Sequence, residues 1–260
     1  MTSVHLKRIA SLRYGTLTDR LRKIRPGPIG FFTTGRFAPM RGTLVFDLDG
    51  TLAETAPDIM ATLNILLTRE GLPALPTAKA RELVGAGAKA LIERGFKASG
   101  MPLLPAKLEQ LFAEFLPIYL DRIAEESHLF DGVEAALDRL AMKGFTLAIC
   151  TNKPERHSLA LLEALGVKNR FRAIVGRETF PFFKPDPRVL AETIRACGGT
   201  KERAIMVGDS ITDLETARNL GVPTIGVSFG YTNVPMAELA PDRLIHHFNA
   251  LDEAVDSLLS

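Results

Sequence analysis

The chain has 260 residues, 46% of them hydrophobic and 24% charged, with a net charge of +2. That is enough apolar material for one large domain, or for one domain carrying a smaller insert. No apolar run approaches the ~20 residues of a membrane-spanning helix. The only two cysteines, Cys150 and Cys197, exclude a disulfide framework and fit a reducing compartment.

The charge is unevenly spread. Residues 1–39 hold Lys7, Arg8, Arg13, Arg20, Arg22, Lys23, Arg25 and Arg36 against Asp19 alone, so this segment is +7 and the remainder is −5. The body therefore has no basic footprint for nucleic acid. Residues 1–40 read as a basic tail, disordered or dispensable. A targeting peptide and a basic arm for a membrane or polyanion are the competing readings.

In chain order, 43–46 is a short apolar strand. From about 57 to 127 only helical patterns occur. Ile59, Leu63, Leu66 and Leu67 share a helical face. Thr77 reads as an N-cap for a helix over 79–95, with a break at Val84-Gly85-Ala86-Gly87. Leu108, Leu111, Phe112, Phe115 and Tyr119 mark another amphipathic helix, in which Pro117 predicts a kink. After Phe130-Asp131-Gly132 the rhythm alternates. Helices fall at 133–142, 158–165, 188–197 and 213–220, and strands at 145–150, 171–175, 204–207 and 224–227.

Alternation with apolar strands predicts an α/β fold, a Rossmann-like parallel sheet with helices on both faces. The core domain comprises residues 41–56 and 128–260. Residues 57–127 form a helical domain inserted just after the first strand.

Ligands of such sheets bind outside the carboxyl ends of the strands. Four strand ends carry polar groups there: Asp47-Leu48-Asp49-Gly50-Thr51, Thr151-Asn152-Lys153-Pro154, Lys184-Pro185 in the loop after the third strand, and Gly208-Asp209-Ser210 with Asp213 beyond. Residues i and i+2 of a strand share a face, so Asp47 and Asp49 would repel unless the chain bends or a cation intervenes. With Asp209 they make a hard, all-oxygen set suited to Mg2+ rather than zinc. Thr151 and Lys184 supply a hydroxyl donor and a cation suited to phosphate oxygens. His128, His157, His246 and His247 read as surface residues.

These four motifs resemble the haloacid dehalogenase superfamily of phosphohydrolases, and the resemblance covers about residues 43–248. It implies that Asp47 is the nucleophile, forming an aspartyl-phosphate, and that Asp49 is the general acid and then base. It implies that Asp47, Asp209 and the backbone carbonyl of Asp49 hold Mg2+, with Asp213 supporting the metal or orienting Lys184. Thr151, Asn152 and Lys184 would bind the phosphoryl group. The helical insertion would be the family's cap, with a substrate loop at Gly85, Ala86 and Gly87.

Within the superfamily the chain most resembles bacterial phosphoglycolate phosphatases. The supporting residues are 52–58, Val84 to Ala88, Thr151 to Pro154 and Tyr231. Ala53-Glu54-Thr55, Gly176-Arg177-Glu178-Thr179 and Asp186 depart from the common family pattern, which bears on substrate rather than on reaction. The implied function is Mg2+-dependent hydrolysis of a small phosphate monoester, 2-phosphoglycolate first. A sugar-phosphate, nucleotide or pyrophosphate hydrolase and a β-phosphoglucomutase-like phosphomutase are the alternatives. The expected setting is cytoplasmic, as a monomer or homodimer, with a small phosphorylated substrate and neither membrane nor nucleic acid for the body.

Overall fold

Strand β1 (Gly42–Phe46) is buried along its whole length, as an apolar strand covered on both faces must be. The computed structural model describes residues 41–85 and 87–259; the basic tail at 1–40 and Ala86 lie outside the described residues. After β1 come β2 (Ala53–Glu54), α1 (Ala56–Arg69), α2 (Ala80–Leu83), α3 (Ala88–Ala98) and α4 (Pro105–Asp121). The chain returns through β3 (His128–Leu129) to α5 (Val133–Met142), β4 (Phe145–Cys150), α6 (Glu155–Ala164), β5 (Ala173–Val175) and α7 (Pro187–Ala196). It closes with β6 (Ala204–Gly208), α8 (Ile211–Leu220), β7 (Thr224–Val227), β8 (Arg243–Ile245) and α9 (Leu251–Leu259).

Six strands form a parallel sheet in the order β5-β4-β1-β6-β7-β8. Alternate residues of β1 face opposite layers. Leu44 and Phe46 pack with Leu137, Leu161 and Leu251 of α5, α6 and α9. Val45 packs with Leu190 and Ala217 of α7 and α8. Helices thus cover both faces, as the alternation predicts. The strand order reverses at β1, where Phe46 lies opposite Ile149 on one side and Val207 on the other. The residues that follow these strands are therefore neighbours at the switch point, where ligands of open α/β sheets bind.

The inserted helices have their own apolar cluster, with Leu63 and Leu66 of α1, Ile92 and Phe96 of α3, and Leu111 and Phe115 of α4. The antiparallel pair β2–β3 closes its base, with Ala53 opposite Leu129 and Glu54 opposite His128. Asp58, buried in the first turn of α1, accepts from the amides of Glu126 and Ser127 and, at 2.6 Å, from the Ser127 hydroxyl. The outgoing and returning chains are thereby tied side by side.

Three local expectations are corrected, while the break expected at 84–87 is present: the stretch over 79–95 is a 3-10 turn at Thr77–Lys79, then α2, the break, and α3. Thr77 does not cap it; Pro76 holds that position. Helix α3 runs past Gly95, which is an approach point rather than a stop: a β-carbon there would lie 2.6 Å from Leu63 of α1. His157 is buried rather than a surface residue, stacked on Tyr119 at 5.7 Å, with Nε2 2.8 Å from the Leu116 carbonyl. Burial holds its pKa below the usual imidazole value.

Candidate active site

Asp47 extends β1 by one ladder bond, its amide donating to Val207 O at 2.9 Å. The chain then turns sharply. The amides of Leu52 and Ala53 both return to Leu48 O at 3.0 Å, and Gly50 takes φ +81°. The bend resolves the repulsion expected between Asp47 and Asp49, because each carboxylate has its own lysine. Lys184 Nζ lies 2.9 Å from Asp47 Oδ1 and 2.5 Å from Asp213 Oδ1. Lys153 Nζ lies 2.9 Å from Asp49 Oδ1, which also accepts from Thr55 Oγ1 at 2.8 Å.

Carboxylate oxygens of Asp47, Asp209 and Asp213 all lie within 4.8 Å of one another. Asp209 is fixed by the Thr51 hydroxyl at 2.9 Å and the Tyr231 amide at 2.7 Å. Two glycines leave room for it. A β-carbon on Gly50 would lie 2.5 Å from Asp209 Oδ2, and one on Gly230 would lie 2.2 Å from Asp209 Cβ. Asp213, the third residue of α8, completes a capping box with the N-cap Ser210, accepting from Ser210 N at 3.1 Å and Ser210 Oγ at 2.7 Å. Its remaining oxygen holds Lys184 at 2.5 Å.

Burial pushes the Asp47 carboxyl up to about 6, with Lys184 opposing the rise. Asp209 is pushed up to about 8 by burial and then by the charges of Asp213 and Asp47. Burial works against the Lys184 ammonium, yet Asp213 and Asp47 outweigh it and raise its pKa. One lysine against three carboxylates leaves an excess of negative charge that a divalent cation would offset. The donors are all oxygen, so the residues present fit Mg2+. Of the expected metal set, the side chains of Asp47 and Asp209 converge. The Asp49 side chain turns to Lys153 and Thr55, leaving its main chain for the role that the resemblance implies.

Thr151 is buried, and its hydroxyl oxygen accepts from the Lys153 amide at 3.2 Å, which leaves the hydroxyl proton to be donated elsewhere. Asn152 spends its amide group on Lys184 O at 3.0 Å, tying the loop after β4 to the lysine loop. Asp47, Thr151, Lys184 and Asp209 line a cleft of about 720 Å³ measured out to its solvent mouth. Gly85 and Gly87 line the same cleft from the insertion, at φ +107° and +88°; Ala86 between them lies outside the described residues.

Sequence reasoning missed three contributors. Lys153 stands inside a quoted motif, but nothing in the pattern assigns its partner. Tyr119 reads only as part of an apolar face, whereas its hydroxyl accepts from Lys153 Nζ at 2.5 Å. The Tyr231 hydroxyl donates to the Glu54 carboxylate and accepts from the amides of Thr55 at 2.7 Å and Ala56 at 2.9 Å. Glu54, a departure from the family pattern, therefore has a structural partner in Tyr231.

A family model described as haloacid dehalogenase-like hydrolase matches residues 44–227. A phosphoglycolate phosphatase of Caulobacter vibrioides is 46% identical over 218 residues, covering 84% of this chain and 92% of that protein. One from Mesorhizobium japonicum is 48% identical over 211 residues, covering 81% and 93%. The crystal structure of a predicted phosphoglycolate phosphatase from Haemophilus somnus 129PT superposes with a TM-score of 0.77 at 28% identity, covering 83% of this chain and 98% of that one. The inserted helices and the four polar strand ends lie within the residues that the family model matches. The chain belongs to the haloacid dehalogenase-like hydrolases and is a hydrolytic enzyme of their phosphoglycolate phosphatase-like kind.

Proposed function

We propose that this enzyme is a Mg2+-dependent cytoplasmic phosphatase that hydrolyses 2-phosphoglycolate to glycolate and phosphate. The observation that carries the reading is the separation of the two motif carboxylates. Asp47 sits with Asp209 and Lys184, and Asp49 points into the same cleft with a different set of partners. The identities to the relatives named above support the choice of substrate.

An oxygen of Asp47 attacks phosphorus, and the ester P–O bond breaks. Asp49 gives its proton to the departing glycolate oxygen. The resulting aspartyl-phosphate is then opened by water, whose proton returns to Asp49 as the P–O bond to Asp47 breaks. Thr151 donates from its hydroxyl and Lys184 from its ammonium to the non-bridging oxygens, which carry the transition-state charge. Mg2+, held by Asp47, Asp209 and the Asp49 carbonyl, supplies charge neutralisation between phosphate and nucleophile when bound. Asp213 and Asn152 keep Lys184 in place from two sides.

The test is Mg2+-dependent phosphate release from 2-phosphoglycolate beside sugar phosphates, nucleotides and pyrophosphate. Phosphoglycolate should lead by a kcat/KM ratio of at least ~10-fold, about 1.4 kcal/mol of discrimination. Asp47→Asn should lower release by at least ~10³-fold. A different leading substrate overturns the substrate; an active Asp47→Asn enzyme overturns the mechanism.

A further inference from the structure

Lys153 is a cleft-lining cation that the phosphoryl chemistry leaves unused. It is 6% exposed. Its ammonium lies 2.9 and 3.2 Å from the two Asp49 oxygens, 2.5 Å from the Tyr119 hydroxyl and 4.4 Å from the centre of the Tyr119 ring. Among the described lining residues the only other cation is Lys184, which Asp47 and Asp213 hold and whose remaining donor goes to the phosphoryl group in the reading above. The facing wall from the insertion, including Ile59, Val84, Leu91 and Phe115, is apolar. An anionic group entering the cleft beyond the phosphate thus meets one cation, and it is Lys153.

Tyr119 holds that cation from the insertion side. Tyr119 is 3% exposed and its ring is backed by His157, which is anchored to the Leu116 carbonyl of the same helix. Lys153 therefore stands at a fixed point between a core carboxylate and an insertion phenol, rather than swinging on a free stem.

We propose that Lys153 binds a second anionic group of the substrate, a carboxylate on the carbon next to the ester carbon, with Tyr119 as its positioning partner. The inference rests on the phosphatase reading above and names the structural reason for its substrate class. An Asp49 that protonates the ester oxygen stands about 2.7 Å from it. Across an O–C–C–O unit the carboxylate oxygen lies about 3 Å from that ester oxygen. Lys153 is 2.9 Å from Asp49, which puts the ester oxygen within about 6 Å of its ammonium, so a carboxylate about 3 Å further and turned toward Lys153 reaches hydrogen-bond distance. A lysine has three N–H donors, so one can turn to the carboxylate while Asp49 and Tyr119 keep the others. A neutral alcohol offers no charge at that place, and a longer spacer carries its charge past it onto the apolar wall.

The experiment compares 2-phosphoglycolate with its carboxamide, which has the same shape without the charge. Wild type should prefer the carboxylate by at least ~30-fold in kcat/KM, about the strength of one charge-assisted hydrogen bond. Lys153→Met should bring the ratio within ~3-fold, whatever loss the two substrates share, and Lys153→Arg should keep a clear carboxylate preference. Should Lys153→Met turn over neither compound, the two dissociation constants are measured in Asp47→Asn and Asp47→Asn/Lys153→Met, with the same ratios expected. An unchanged preference in the methionine variants, loss of binding of both compounds there, or equal use of the two compounds by wild type overturns the inference. Wild type inactive on both overturns the 2-phosphoglycolate reading above instead.

Discussion

Tyr231→Phe removes a single oxygen from the base of the insertion, and its cost can be worked from the contacts. That oxygen accepts from the amides of Thr55 and Ala56 and donates to Glu54. The Ala56 amide keeps a second acceptor, Glu54 Oε1 at 3.0 Å. The Thr55 amide loses its acceptor at a position that is fully buried. One stranded buried donor costs about 1–3 kcal/mol, and the phenylalanine ring keeps the packing against the insertion's apolar cluster. The expected loss is therefore about 2 kcal/mol, or roughly 4–8 °C in Tm for a domain of this size. Urea unfolding should show the midpoint falling with an unchanged slope. Phosphate release should fall as well, because Thr55 also holds Asp49 through its hydroxyl. A loss below ~0.5 kcal/mol with full activity would refute the reasoning, since it would mean that Glu54 or water replaces the hydroxyl without penalty.

Three further outcomes follow from the site and from the Asp58 tie at the base of the insertion. Asp47 and Asp209 are raised from 3.8 to about 6 and about 8, so the folded protein holds protons that the unfolded chain has already released. Stability of the metal-free protein should accordingly fall as pH rises from about 4 to 8, and added Mg2+ should recover more of it at pH 8 than at pH 5. A thermal midpoint in EDTA that is flat between pH 5 and 8 contradicts this. Gly50→Ala forces a β-carbon into φ +81° and to 2.5 Å from Asp209, so the Mg2+-induced rise in Tm should shrink by more than half as Asp209 is displaced. Asp58→Ala strands the amides of Glu126 and Ser127 together with the Ser127 hydroxyl. It should cost about 3 kcal/mol in denaturant and open 122–127 to limited proteolysis; equal cleavage rates in the two proteins would count against Asp58 as the tie.

The sequence alone carries the sheet, because buried parallel strands must be continuous apolar runs and β1, β4, β6 and β7 are such runs. It also carries the polar strand ends, since a local motif needs no partner to be recognised. Some short elements were not legible. Two-residue β2 and β3 and three-residue β8 are too brief for a period, and exist because a neighbouring strand supplies their hydrogen bonds. What the tertiary structure decided is pairing. Asp47 and Asp49 repel on paper; only the turn at Gly50 and two lysines from distant loops give them separate surroundings. His157 and Tyr119 are polar groups whose spacing looks like surface and core, and they meet only when α4 lies against α6. Lys153 is one residue of a recognised motif, but its neighbour Tyr119 is 34 positions away. Sequence periodicity records which face of an element is apolar, whereas the partner of a buried charge is a property of how those faces are brought together.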